Sequence, residues 1–181
     1  MKLRKWSLVF VLVLILLVAS VVAVNAAAKL RVTGGINYPY PPDLLTGWAW
    51  GEMNITIDED GKAEGMFRYK SYTVDKPKDF GGWIGEPICG ALGEYMGLPT
   101  VAIVVRVADT VDAPEWVGKY AKFTASDGGP KAEDDLVGLV AWGPEGPVDE
   151  QPECDFEEPF FAWPGVNGNM TIHLPGRNSG Q

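Results

Sequence analysis

The strongest constraint in this chain is a stretch of strict alternation folded about a single turn. From Gly47 to Asp58, Met53, Ile55 and Ile57 share one parity while Asn54, Thr56 and Asp58 share the other. From Lys62 to Tyr72, Ala63, Gly65, Phe67 and Tyr69 alternate with Lys62, Glu64, Arg68 and Lys70. A period of two is the signature of a strand with one dry face and one wet face. Between the runs stands Asp58-Glu59-Asp60-Gly61, where glycine accepts the positive φ that a tight hairpin requires. Trp48 and Trp50 fall on the parity opposite Met53, so a bulge near Gly51 is expected to bring all three to one face.

Beyond residue 28 the same pattern recurs. Strands are expected at Lys29 to Thr33, around Pro87 to Leu92, and at Thr100 to Ala108, Lys119 to Ala125, Leu136 to Trp142, Phe160 to Trp163 and Gly168 to Leu174. Asn37 to Thr46 reads as a loop, because Pro39, Pro41 and Pro42 lack ladder donors. Val74 to Leu98 is the least legible segment; a helical turn at Leu92 to Met96 competes there with glycines that disfavour helix. About eight strands with no long helix define an all-β domain. A single antiparallel β-barrel is the expected architecture, since closure removes exposed edges, with a β-sandwich as the alternative.

The first residues set the destination. Lys2, Arg4 and Lys5 precede an apolar run from Leu8 to Val24 broken only by Ser20, and small residues follow at Val24-Asn25-Ala26. This is the charged, apolar and small-residue order of a secretory signal peptide. An uncleaved anchor is the alternative, although the run is short for a bilayer span. The expected organisation is a signal peptide at 1–26, a β domain at 27–174 and a disordered tail at 175–181. A secreted, extracellular or cell-envelope location follows, with membrane contact only through the leader before cleavage.

The leader holds three of the chain's 15 basic residues and no acid, so the remainder is more acidic than the −9 of the whole. Such a domain repels phosphate backbones, which excludes nucleic acid as a partner. A protein or a cell-surface glycan remains open. The two cysteines, Cys89 and Cys154, form an even count in an oxidising compartment and are expected to be disulfide-bonded. The chain-entropy account assigns such a bridge about 3–4 kcal/mol.

Most catalytic templates fail. One histidine, His173, rules out multi-histidine zinc sites, and alternation places it on the outward face. No Gly-x-Ser-x-Gly elbow or phosphate-binding Gly-Lys loop is present. A small carboxylate-dependent hydrolase needs only two acids, but the acids cluster where turns would solvate them: Asp58–Asp60, Glu133–Asp135, Asp149–Glu150 and Asp155–Glu158. No cofactor is expected; calcium is the alternative, with Asp155, Glu157 and Glu158 its best oxygen ligands. Trp48, Trp50, Trp83 and Trp163 are the candidate ligand-binding aromatics, either as a platform or from Gly- and Pro-rich segments. Trp116 and Trp142 complete the set of tryptophans beyond the leader. The leading expectation is a non-enzymatic structural or interaction module. A glycan- or small-ligand-binding module comes second and a secreted hydrolase third.

Three phrases taken in order extend this reading: Gly34-Gly35-Ile36, then Asp60-Gly61 with Gly65, Phe67 and Tyr69, then Gly168-Asn169-Met170-Thr171-Ile172-His173. Phe123 with Asp127-Gly128-Gly129-Pro130 adds a fourth. In these phrases the chain resembles a poorly characterised class of secreted bacterial β domains found alone or in cell-surface proteins. The resemblance implies a β fold and export, and it carries no activity, cofactor or catalytic residue.

Overall fold

The computed structural model describes residues 29–39, 47–73, 76–143 and 146–175. The expected leader, residues 1–26, and residues 176–181 of the expected tail lie outside them. The fold is all-β: one curled antiparallel sheet of nine strands. In chain order they are β1 (Leu30–Pro39), β2 (Gly47–Ile57), β3 (Ala63–Thr73), β4 (Lys76–Tyr95), β5 (Leu98–Thr110), β6 (Tyr120–Ser126), β7 (Leu136–Ala141), β8 (Phe161–Pro164) and β9 (Asn167–His173). Two 3-10 turns, Pro114–Trp116 and Ala132–Asp134, are the only helical pieces among the described residues.

The strands form a meander from β1 to β8, and β9 returns to pair with β1. The two sheet edges, β8 and β9, are therefore consecutive in the chain and separated only by Gly165 and Val166. Such a link requires the sheet to curl until its edges approach. Its concave face holds one continuous core, including Val32, Ile55, Phe67, Ile103, Val105 and Met170. The alternation in β2 and β3 is realised as expected: Met53, Ile55, Ile57, Ala63 and Phe67 are buried while Asn54, Glu64 and Lys70 are exposed.

Several expectations are corrected. There are nine strands rather than about eight. β1 does not stop at Gly34-Gly35 but continues to Pro39, because Gly34 is in register with both Met53 and Met170. Gly34 has φ +131°, and a Cβ there would run into the Asn169 carbonyl, so only glycine carries the strand through. The expected helical turn at Leu92 to Met96 is strand and hairpin instead. Met96 (φ 53°) and Gly97 (φ 81°) form the two-residue connection, both in the left-handed region that matches strand twist. β4 is long because it absorbs register shifts near Gly85 and between Pro87 and Cys89. No bulge occurs near Gly51: β2 keeps register with β1 and β3 throughout, so Trp48 and Trp50 stay on the parity opposite Met53.

A strap crosses the convex side. Alternation leaves Ala102 and Val104 of β5, and Lys122, Thr124 and Ser126 of β6, pointing away from the core, yet all are buried. Residues 146–160 run over that side of the sheet. Tyr120 and Val148 exchange backbone hydrogen bonds, and Phe160 N–H donates to the Leu139 carbonyl at 3.1 Å. Phe156 fills the space above Gly93, and Pro159 the space above Gly138, where a side chain would collide with each. Cys154 lies at bonding distance from Cys89 of β4, with Cα atoms 5.6 Å apart, and fastens the strap as the cysteine count implied.

Candidate functional site

Three clusters contain the chemistry-bearing residues. The first lies where β9 faces the β6–β7 connection. β9 pairs with β1 on one side, which leaves the N–H groups of Met170 and Ile172 directed to the other. Met170 N–H donates to Asp135 Oδ2 at 2.6 Å and Ile172 N–H to Asp127 Oδ2 at 2.8 Å. The second oxygens serve the turn: Gly128 N–H donates to Asp135 Oδ1 at 2.9 Å and Gly129 N–H to Asp127 Oδ1 at 3.0 Å. The backbone adds Gly165 N–H to the Asp135 carbonyl and Val166 N–H to the Asn37 carbonyl. Carboxylates here take the place of a tenth strand, accepting the hydrogen bonds a ladder would accept.

Asp135 is completely buried, contrary to its expected place in a solvated Glu133–Asp135 cluster. Burial raises its pKa above 3.8, against the lowering effect of the two backbone donors, and the neighbouring Asp127 and Asp134 charges raise it further. Two facing carboxylates, one desolvated, are what a hydrolase needs. Here, however, all four oxygens are bound to backbone amides, and neither residue lines any of the three cavities described. A signal for this pair exists in the sequence: both acids flank the Gly-Gly-Pro turn, each next to a buried strand.

The second cluster belongs to the strap. Lys122, with its side chain 1% exposed, places Nζ 3.1 Å from Asp155 Oδ1 and 3.2 Å from Glu157 Oε2. Two of the three residues expected to hold calcium therefore share an ammonium group. Glu158 is exposed and has no described contact with that group. Among the described residues no group of three or more His, Cys, Asp or Glu is arranged to hold a metal ion.

The third cluster is aromatic. Trp83 and Trp163, expected to protrude, are 2% and 8% exposed. Trp83 stacks against Phe67 and Tyr69 and also meets Phe123 and Trp142; Trp163 stacks on Tyr38. Trp142 receives the edge of Trp116. The rings nearly fill one end of the core, leaving a cavity of about 50 Å³ among Tyr38, Tyr69, Phe123, Leu139, Trp142 and Trp163. That is too small for a drug-sized ligand. Strand periodicity puts these rings on the concave face, and packing outweighs the glycines around them.

Trp50 alone of the four candidates reaches the convex side with a described side chain. It is half-buried, and its indole lies across β1, with Cζ2 2.5 Å from where a Gly35 Cβ would be. The Trp48 side chain is outside the described residues. His173 faces outward as expected, 3.1 Å from Thr33 Oγ1.

No family model matches the chain, and comparison with curated proteins and with solved structures finds no match either.

Proposed function

We propose that the chain is an exported, non-enzymatic module: a β-barrel, closed by side chains, that serves a structural or interaction role outside the cytoplasmic membrane. The observation carrying this reading is that the polar groups best suited to chemistry are already consumed. All four oxygens of Asp127 and Asp135 accept backbone hydrogen bonds, and Asp155 and Glu157 share Lys122. Barrel closure is supported by the two-residue link between β8 and β9 and by the amides of β9 that meet those carboxylates. Export is supported by the leader-like N-terminus, by the resemblance to secreted β domains, and by a disulfide consistent with an oxidising compartment.

Expression of the full chain in a bacterial host, followed by fractionation, N-terminal mass analysis and thiol alkylation, tests this reading. A processed chain outside the cytoplasmic membrane with no alkylatable thiol is expected. An intact leader on a cytosolic chain with two free thiols refutes it. Turnover of glycans by the purified protein, abolished by Asp127→Asn, would refute the non-enzymatic part.

A further inference from the structure

The strand registers assemble a polar face on the convex side, opposite the core. One row across the sheet reads Gly82 (β4), Lys70 (β3), Trp50 (β2), Asn37 (β1) and Asn167 (β9). The next reads Ile84, Arg68, Glu52, Gly35 and Asn169. Gly35 leaves a gap in the second row, and the Trp50 indole occupies it. Arg68 and Glu52 pair across strands at 3.5 Å, both half-exposed.

Beside this plate, across β4, runs a groove of about 220 Å³. Gly81, Gly82, Arg68, Lys70, Asp109 and Val111 are among its lining residues. A Cβ on Gly82 would come 2.5 Å from the Tyr69 carbonyl, so that position carries no side chain.

We infer that this strip, from Trp50 to the β4 groove, is a binding site for a neutral polysaccharide chain lying across the strands. This deepens the interaction reading above and rests on it. The C–H face of a pyranose ring stacks on the outward face of Trp50, as apolar surface does on an aromatic plane. The amides of Asn37 and Asn169 and the Arg68–Glu52 pair offer donors and acceptors to its hydroxyls. A further sugar unit enters the groove across β4. β2 and β4 are two strand spacings apart, about 10 Å, so the ligand is a chain rather than a single sugar. Charge selects neutrality: Arg68 and Lys70 are matched by Glu52 and Asp109, and a chain of net charge −9 repels polyanions.

The test is native electrophoresis of the full disulfide-bonded protein in gels containing hydroxyethylcellulose, galactomannan or glycogen, with polygalacturonate as the acidic comparison. Retardation by at least one neutral polymer is expected, with a change in tryptophan fluorescence on titration. Trp50→Ala should weaken binding at least tenfold and Asn169→Ala severalfold, while Val117→Ala, on a remote turn, leaves it unchanged. Asn169 is exposed, so its variant decides the matter if Trp50→Ala disturbs folding. Migration unaffected by every neutral polymer, retardation by polygalacturonate alone, or wild-type retardation of the folded variants overturns the inference. The exported-module reading has its own readouts, processing and thiol state, so the two can fail separately.

Discussion

Replacing Asp135 with alanine should be among the most damaging single changes to this fold. The carboxylate is fully buried and is the described acceptor for Met170 N–H at 2.6 Å and Gly128 N–H at 2.9 Å. Alanine leaves both amides without it, at about 1–3 kcal/mol per buried unsatisfied donor. Part of this is returned, because the charge itself is poorly solvated and its removal relieves that penalty. A net loss of about 2–4 kcal/mol is expected, which for a domain of this size lowers Tm by roughly 4–16 °C. Asparagine is no remedy: its amide nitrogen would set a donor against one of the two N–H groups.

The pH dependence has a definite sign. Burial raises the folded-state pKa of Asp135 above 3.8, so between 3.8 and that higher value the folded protein holds more protons than the unfolded chain. Stability contributed by this group is present in full below 3.8 and is lost as pH rises through the folded pKa. The difference between wild type and Asp135→Ala should therefore grow as pH falls from neutrality into that window. Urea denaturation of both proteins across a pH series measures it. A cost below 1 kcal/mol at neutral pH would refute the argument that this carboxylate holds β9 in place, and a difference that shrinks on acidification would refute the dominance of burial over its two amide donors.

Other consequences are as direct. Replacing both Cys89 and Cys154 by serine frees a strap closed over a sequence separation of 65 and should cost about 4 kcal/mol, read as a lowered urea midpoint. Gly168→Ala should prevent folding, since Gly168 has φ +105° and a Cβ would run into the Gly35 carbonyl; a native-like circular dichroism spectrum and melt would contradict this. The Lys122 clamp should be asymmetric. Lys122→Met returns two exposed carboxylates to water and should change stability by less than about 1.5 kcal/mol, whereas Asp155→Asn with Glu157→Gln strands a buried ammonium and should cost about 3–5 kcal/mol. Equal effects in thermal melts would count against the clamp.

Local periodicity made the fold class and most strands legible. The β2–β3 hairpin could be read residue by residue, because its dry and wet faces are cleanly segregated about Asp60-Gly61. β1 and β4 were harder: their glycines look like terminators, and only the neighbouring strands reveal that Gly34 and Gly85 lie within a sheet. The strap was hidden for a related reason. Outward residues such as Lys122 and Thr124 read as solvated until a distant, proline-bearing segment is laid over them. Composition misleads for the tryptophans: Gly- and Pro-rich surroundings suggest protrusion for Trp83 and Trp163, where parity favours the interior. Asp127 and Asp135 look like ordinary turn acids, and their role appears only when β9 arrives from about 40 residues further on.

The pairing of β1 with β9 also fixes how the molecule would stand on a support. Arg31 and His173 are in register, so the chain enters and leaves the sheet at the same pole. Trp50, in register with Asn37, sits six residues further along β1, about 20 Å away at the usual strand rise. A support joined to the sheet at either of these two strand ends would therefore leave the Trp50 region at the far pole.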